Sequence, residues 1–399
     1  MTTVSEAAAL IAAEMQPWPT AIEPLESVVG RVLAADVVAE RDIPAFDRVT
    51  MDGIAIDGAA WQAGTRVFRI EGVQAAGVPA MKIETADQCI RVMTGAVMPA
   101  GCDTVIPVER LVVENDHAKV EASAQVQPGQ FVHCRGSDRA AGDTVLRTGT
   151  RIGAPEMAVL ASVGQANVTV SRVPRIAVIS TGDELVGVDE PVAAHQIRSS
   201  NDRAIAAALQ THHCAAVTRR TLRDKPAALL AELEALHADH DALILSGGVS
   251  MGDFDFVPGA LKHLGARLVF HRIDQKPGRP MWFGMSGADK PIFALPGNPV
   301  STLVCMTRYV VPALRTALGL QTRREFARLT DTLTNGPRGW TWFVPVTVES
   351  QPDGGAVAQA HGINTSGDFS SLAGTDGIAE LGTEEADRRA GTVVEVFRW

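Results

Sequence analysis

Residues Ala242–Phe256 read ALILSGGVSMGDFDF. An unbroken apolar run that stops at a glycine pair is how a strand buried on both faces looks when it turns sharply at its carboxyl end. Two aspartates, Asp253 and Asp255, follow in the same loop. The strand-then-turn pattern recurs on either side: RIAVIS (175–180) runs into TGDEL, and PIFAL (291–295) into PGNPVS. AAVTRRTL, ARLVFHRI and MWFGM read as further strands. Between them lie helical stretches: NDRAIAAALQTHH with Asn201 as its cap, and DKPAALLAELEALH with Asp224 as cap and Pro226 in the first turn. FVPGALKHL and VSTLVCMTRYVVPALRTALG complete the set, the last ending at glycine. Strands alternating with helices predict a mostly parallel sheet covered on both faces, a three-layer α/β domain.

Outside this region the texture changes. SEAAALIAAEM reads as a helix capped by Ser5. From about Leu25 to Arg172, short β-branched runs (RVFRIEG, QCIRVM, DTVIPVERLVV, AKVEA, VTVSRV) alternate with Gly and Pro turns, which predicts β-rich structure. Pro44–Asp57, holding FDRVTMDGIAID, reads as a long loop. After Gln321, WTWFVPVTV, AVAQAHG and TVVEVF predict a small C-terminal β domain.

The 399 residues are 46% hydrophobic and 21% charged, a globular balance that suits about two to four domains. A net charge of −10 without basic blocks gives no general attraction for nucleic acid or an anionic membrane. An anionic ligand must therefore be held locally, by placed cations or a metal. MTTVSEAAALIAAEM lacks the features of a signal peptide, and no run of about 18 apolar residues occurs. Cys89, Cys102, Cys134, Cys214 and Cys305 are widely spaced, form no CxxC pair, and read as reduced, mostly core thiols. These observations point to the cytoplasm. His237 and His240 in LHADH have a metal-like spacing, but at the end of a helix they read first as terminal or solvent-facing residues.

In a parallel sheet the turns after RIAVIS, ALILS and PIFAL lie at the carboxyl edge, where open α/β folds bind ligands. If ARLVFHRI shares their direction, DQKPGRP brings Lys276 and Arg279 to the same rim. That rim then holds Asp183, Glu184, Asp253 and Asp255 beside two cations. Singly, each has a plain reading: glycine pairs make turns, acids occupy turns, and Asp224 caps a helix. The Gly247-Gly248 turn also suits an oxyanion, which its N–H groups would meet, although it is not a Walker loop. Together the carboxylates would repel one another unless a cation lay among them. Mg²⁺ takes hard oxygen ligands and shares them with phosphates, which resolves the conflict. This set suits electrostatic chemistry at a phosphoanhydride or oxyanion. No Ser-His-Asp or Cys-His pair is legible. Pro296-Gly297-Asn298-Pro299 makes a rigid turn before a helix, which either faces the ligand or only stiffens the loop.

Seven stretches, in this order and spacing, resemble the MoeA family of molybdopterin molybdenumtransferases, which includes the C-terminal domain of gephyrin. They are FDRVTMDGIAI (46–56), RVMTGAVMPAGCDTVIPVE (91–109), RGSDRAAGD (135–143), STGDEL (180–185), SGGVSMGDFDF (246–256), KPGRP (276–280) and PGNPVS (296–301). The resemblance spans nearly the whole chain. It implies an enzyme of molybdenum cofactor biosynthesis that inserts molybdate, with Mg²⁺, into adenylylated molybdopterin and releases AMP. It implies a MogA-like α/β molybdopterin-binding domain (1–25 and 173–320) and a β-rich domain carrying MDG and MTG (44–143). A linking domain (26–43 and 144–172) and a C-terminal β domain (321–399) complete the subunit. It also implies an elongated homodimer with its site in a cleft between subunits, and the adenylyltransferase that makes the substrate as a partner.

Carried over by motif, the resemblance implies catalytic roles for Asp52 of MDG, Thr94 of MTG, Asp138, Glu184, Asp224, Asp255, Lys276 and Arg279. Glu184, Asp224 and Asp255 would hold Mg²⁺ and water, and Lys276 and Arg279 would engage molybdate or phosphate. Asp52 and Thr94 would reach in from the β-rich domain of the partner subunit. Gly247, Gly248, Ser250, Pro296, Pro299 and Ser371 would touch substrate. The chain departs from the family pattern at Arg48 and Val49, at Ile54 in place of a tyrosine, and at Arg279 in place of a lysine. Its 364–381 segment follows the family only loosely. A pure scaffold, the adenylyltransferase itself and a preference for tungstate are the competing readings.

Overall fold

The structure, a computed structural model, describes residues 2–223, 225–248, 257–321 and 323–399. The chain divides into two compact units, one of residues 1–35, 148–153 and 167–399, the other of 36–147 and 154–166.

The first unit is organised by a six-stranded sheet. Its strands run in the order Ala216–Leu222, Arg175–Thr181, Ala242–Ser246, Pro291–Leu295, Trp282–Met285, Arg267–His271. The first four are mutually parallel. Trp282–Met285 is antiparallel to both of its neighbours, so Arg267–His271 regains the direction of the parallel set. The apolar runs are continuous because both faces are covered. Ile176, Val178, Ile244, Phe293 and Leu295 pack into one core with the Asn201–Thr211 helix and the segment after Pro299. Their chain neighbours Ala177, Ile179, Leu243, Leu245, Ile292 and Ala294 pack on the other face with Leu229, Leu233 and Val257. Alternation of side chains along each strand sends successive residues to opposite faces.

Helix ends differ from the sequence expectation at several points. The N-terminal helix spans Val4–Glu14 and is capped by Thr3, not Ser5, in a capping box with Glu6. Asn201 is the first residue of its helix and Ser200 holds the cap position without a side-chain bond. Lys225 holds the cap position before Pro226–Asp239, and Asp224 lies outside the described residues. The long helix after Pro299 is interrupted by a π turn at Met306–Val310, followed by Val311–Ala317. His240 is buried with Nδ1 2.8 Å from the Leu236 carbonyl, and His237 Nε2 lies 2.8 Å from Ser286 Oγ. The His240 ring thus completes the end of its helix, and the His237 ring ties that helix to the segment after Trp282–Met285.

The C-terminal strands Glu325–Leu329, Thr341–Ser350, Ala356–Ala360, Gly377–Leu381 and Val393–Arg398 form a sheet that closes through Thr341–Ser350 on Gly377–Leu381. Closure into a barrel removes the sheet edges. The short strand Gln275–Lys276 joins it in parallel, with Lys276 opposite Trp342.

The second unit holds another six-stranded sheet, in the order Thr104–Pro107, Gly53–Ile56, Gln88–Val92, Val67–Gln74, His117–Val120, Leu111–Glu114. Gly53–Ile56 is fully buried and pairs on both sides, so the segment expected as a loop contributes an interior strand. An ideal Cβ on Gly53 would lie 1.9 Å from the Ile106 carbonyl oxygen, which explains the glycine after Asp52. Among the described residues, no helix is long and apolar enough to cross a membrane.

Candidate active site

In the first unit, the three conspicuous turns meet at the carboxyl edge of the sheet. Gly247 and Gly248 have φ of +93° and +66°, and a Cβ on Gly248 would lie 2.6 Å from Val257 Cγ2 and 2.8 Å from Thr181 Oγ1. Only glycine lets the chain turn this close to its neighbours. A Cβ on Gly297 would be 3.5 Å from Gly247 Cα, so the PGNP turn lies directly against the glycine pair. The Gly247 N–H donates to the Leu295 carbonyl at 3.3 Å, which withdraws it from the anion-binding role expected of it.

Glu184 is exposed, and its carboxylate folds back over Gly182, where a Cβ would lie 2.5 Å from Oε2. It makes no side-chain hydrogen bond among the described residues. At the end of the Arg175–Thr181 strand, the buried hydroxyls of Ser180 and Thr181, on opposite faces of the sheet, have no hydrogen-bond partner among the described residues. Orphaned buried polar atoms at a sheet edge call for a polar ligand or water.

Asn201 was unremarkable in the sequence beyond its helix-capping chemistry, yet it ties the rim together. Its Nδ2 donates to Ser246 Oγ and to the Gly297 carbonyl, both at 2.8 Å. Asn298 Nδ2 then donates to Ser366 Oγ at 3.0 Å. Ser366 and Lys276 line one cavity of about 400 Å³ with Trp342, Val344 and His361. These contacts run from Asn201 to the cavity that Lys276 lines. Lys276 is exposed and makes no ion pair among the described residues. Arg279 is half-buried, its guanidinium 4.7 Å from the centre of the Trp340 ring. Pro296 is buried, and its carbonyl accepts from Thr302 Oγ1 at 2.5 Å. Pro299 begins the following helix. The Ser371 hydroxyl donates to the Asp368 carbonyl at 2.6 Å and so closes a turn, whereas Ser366 is the serine that faces the cavity. Asp224, Ser250, Asp253 and Asp255 lie outside the described residues.

The second unit carries the other implied residues on one small ribbon. Arg48–Val49 pairs with Val132–His133, and Gly95 N–H donates to the Val49 carbonyl. On this ribbon Thr94 donates to Asp52 Oδ1 twice, through Oγ1 at 2.6 Å and N–H at 2.7 Å. Those two bonds, the hydroxyl's first, hold the Asp52 carboxyl below the usual carboxylate range. Asp138 is exposed and bonds His133 Nε2 at 2.9 Å, while His133 Nδ1 lies 3.0 Å from Arg48 Nη2. A guanidinium only donates, so Nδ1 accepts and the imidazole turns its Nε2–H to Asp138. Arg48, a departure from the family pattern, thus sets the tautomer of a neighbour of Asp138.

No group of three or more His, Cys, Asp or Glu side chains is arranged for a metal among the described residues. Glu184 is the described member of the implied Mg²⁺ set. Its carboxylate, without a side-chain hydrogen bond among the described residues and three residues beyond the orphaned Thr181 hydroxyl, offers hard oxygen donors and no thiolate, which fits Mg²⁺. Burial pushes the thiols of Cys89, Cys102 and Cys214 up to about 12, which keeps them protonated and unsuited to nucleophilic attack.

Comparison with known proteins agrees with this arrangement. Residues 2–164 match the MoeA N-terminal region (domains I and II), 177–316 the "probable molybdopterin binding domain", and 327–399 the MoeA C-terminal region (domain IV). The molybdopterin molybdenumtransferase of Synechocystis is 35% identical over 400 residues, covering 100% of both chains. Molybdopterin molybdenumtransferase 2 of Mycobacterium tuberculosis is 32% identical over 410 residues, covering 100% of this chain and 99% of its own. Two crystal structures of the molybdopterin biosynthesis MoeA protein from Pyrococcus horikoshii superpose with TM-scores of 0.85 and 0.83 at 28% identity. They cover 100% of this chain and 99% and 100% of theirs. With relatives that match it from end to end and all three regions in order, the chain belongs to the MoeA family of molybdopterin molybdenumtransferases, enzymes of molybdenum cofactor biosynthesis.

Proposed function

We propose that the chain inserts molybdenum from molybdate into adenylylated molybdopterin in a Mg²⁺-dependent reaction that releases AMP and yields molybdenum cofactor. The observation that carries this reading is the chain of contacts from Asn201, through the Gly297-Asn298 turn and Ser366, to the cavity lined by Lys276, at the carboxyl edge that also carries the Glu184 loop. Such a rim offers oxygen donors at one end and a cation at the other, which matches a doubly anionic substrate better than a neutral one.

In this reading Glu184, with Asp224 and Asp255, holds Mg²⁺, which supplies charge neutralisation at the phosphoanhydride. Lys276 attracts the oxyanion as a point charge, and Arg279 adds a planar fork held in orientation by Trp340. Gly247, Gly248, Ser250, Pro296, Pro299 and Ser371 form walls around the substrate. Asp52, held ionised by Thr94, and Asp138, oriented by His133, act in the same reaction from the β-rich unit. Catalysis is positioning and electrostatic stabilisation, without a covalent enzyme intermediate. The working form is a cytoplasmic homodimer of four-domain subunits, supplied by the adenylyltransferase.

The test is an assay with purified protein, adenylylated molybdopterin, Mg²⁺ and molybdate. AMP release that requires both molybdate and Mg²⁺, and that falls at least tenfold in Lys276→Ala, is expected. AMP release at an unchanged rate without molybdate, or none at all, would reject the reading.

A further inference from the structure

A second cavity, of about 190 Å³, lies in the first unit between the Val311–Ala317 helix and the Glu325–Leu329 and Val393–Arg398 strands of the barrel. By liquid volume it has room for roughly six waters. Its charges do not balance. Glu325 is forked by Arg398, with Nε 3.1 Å from Oε1 and 3.0 Å from Oε2. Glu395 is forked by Arg324, with Nε 2.9 Å from Oε1 and Nη2 2.7 Å from Oε2. Both acids on the cavity wall are therefore ion-paired, Glu325 sharing Arg398 with Asp376, whose Oδ2 is 3.5 Å from Nη1. Arg315 and Arg323 line the same wall and make no ion pair among the described residues. Arg315 is half-buried, which raises the cost of leaving its charge without a counter-ion.

Two orphaned polar atoms belong to the same cavity. Thr307, a buried residue of the π turn, has Oγ1 without a partner among the described residues, and so does Nε2 of His212. A wall with two unpaired arginines and two unsatisfied buried polar atoms lacks an anion with several acceptor oxygens. Burial, and then the charge of Arg151, draw the Arg315 guanidinium below its ordinary value. Burial, and then Arg315, draw down His212, against a smaller upward pull from the Arg398 and Trp399 carbonyls. An anion seated between the arginines would relieve that repulsion and let the imidazole protonate, which turns Nε2 into a donor.

We propose that this cavity binds a tetrahedral phosphate-class dianion, held by Arg315 and Arg323 with the Thr307 hydroxyl and the His212 ring as further donors. The ligand is either free inorganic phosphate or the phosphate group of a small monoester. The site shares no residue with the rim at the carboxyl edge, so it stands whether or not the rim performs the reaction proposed above. Because its wall is built from both the α/β helices and the barrel, an occupant would tie the two together.

The experiment is a calorimetric titration of the full-length Lys276→Ala variant, which removes one of the two rim cations, with inorganic phosphate and with glycerol phosphate at constant ionic strength. Saturable binding of at least one of them is expected. It should weaken at least tenfold in Arg315→Gln and in Arg323→Gln, and stay within twofold in Arg220→Gln, which removes an equal charge elsewhere. Tighter binding of glycerol phosphate identifies a monoester as the ligand, and tighter binding of phosphate identifies the free ion. Arg323 is exposed, so its variant keeps the test valid should Arg315→Gln fold poorly. No saturable binding of either compound, or binding that survives both arginine substitutions, would overturn the proposal.

Discussion

The turn that carries Lys276 and Arg279 hangs on one buried amide. Gln275 is fully buried, with Nε2 donating to the Pro277 carbonyl at 3.0 Å and to Cys305 Sγ at 3.6 Å. Its Oε1 accepts from the hydroxyl of Tyr309, itself 2% exposed on the π turn. Burial raises the phenol pKa well above its ordinary value, so the hydroxyl stays a donor at neutral pH. Tyr309→Phe deletes that donor with almost no change of volume and leaves Oε1 buried without its partner. An unsatisfied buried acceptor costs ~1–3 kcal/mol, which is ~5- to 150-fold in an equilibrium constant. Gln275→Met in the Tyr309→Phe background should then cost less than in the parent, because the Oε1 bond is already gone, with a coupling of ~1 kcal/mol. A chain of two units is not expected to unfold in one step. The readout is therefore hydrogen exchange of residues 275–280 and 299–317 across a urea series. Faster exchange at both segments, with a raised KM for molybdate, is the expected result. Exchange within about 0.3 kcal/mol of the parent at both segments would refute the idea that this amide anchors the turn.

Three other outcomes follow from the geometry. Gly53→Ala, whose Cβ would overlap the Ile106 carbonyl, should abolish cooperative melting of the β-rich unit, whereas Gly259→Ala, with open space at its Cβ, should stabilise its helix by about 0.5–1 kcal/mol in a thermal melt. Thr94→Val, which removes the hydroxyl and keeps the N–H, should raise the Asp52 titration toward its ordinary value near 3.8 in carboxyl-carbon NMR, and an unmoved titration would remove the Thr94 hydroxyl as its leading cause. Asp241 feels an upward push from burial, outweighed by the Arg172 fork at 2.8 and 3.0 Å and the Arg175 N–H at 2.7 Å, so its carboxyl lies below the usual 3.8. A depressed carboxyl contributes stability that is complete above its unfolded value and fades as pH falls through its folded value. Asp241→Asn should therefore cost stability at pH 7 and cost progressively less below pH 3.8 in denaturant titrations.

What was legible in the chain follows from what is local. Ile176 to Leu295 announced a sheet covered on both faces because each strand needs only its own apolar run to say so. The reversed direction of Trp282–Met285 has no such mark, since direction is decided by how the chain returns from Arg267–His271. Gly53–Ile56 was hidden for a related reason: its flanks are rich in Asp and Gly, and its place between two partners depends on residues 88–107. The barrel closes through pairing of Thr341–Ser350 with Gly377–Leu381, which no single run displays.

The candidate site divides along the same line. The carboxyl-edge location came from strand direction, and Lys276 arrives there because Arg267–His271 does run with the parallel strands. Asp52 and Thr94 are separated by 42 residues and have no local signal of partnership, so only the family motifs pointed to them. Asn201 was misread because capping a helix and bridging two loops call on the same short amide. The orphaned hydroxyls of Ser180 and Thr181 decide which use matters at this edge. Their strand end is already closed by Leu222 and Leu295 carbonyls that accept from Gly182 and Gly247. Asn201 is therefore free to hold the PGNP turn in place, and both hydroxyls remain without a partner among the described residues. If Asn201→Ala left substrate affinity and the exchange of residues 296–299 unchanged, the rim would have to be held by the glycine contacts alone.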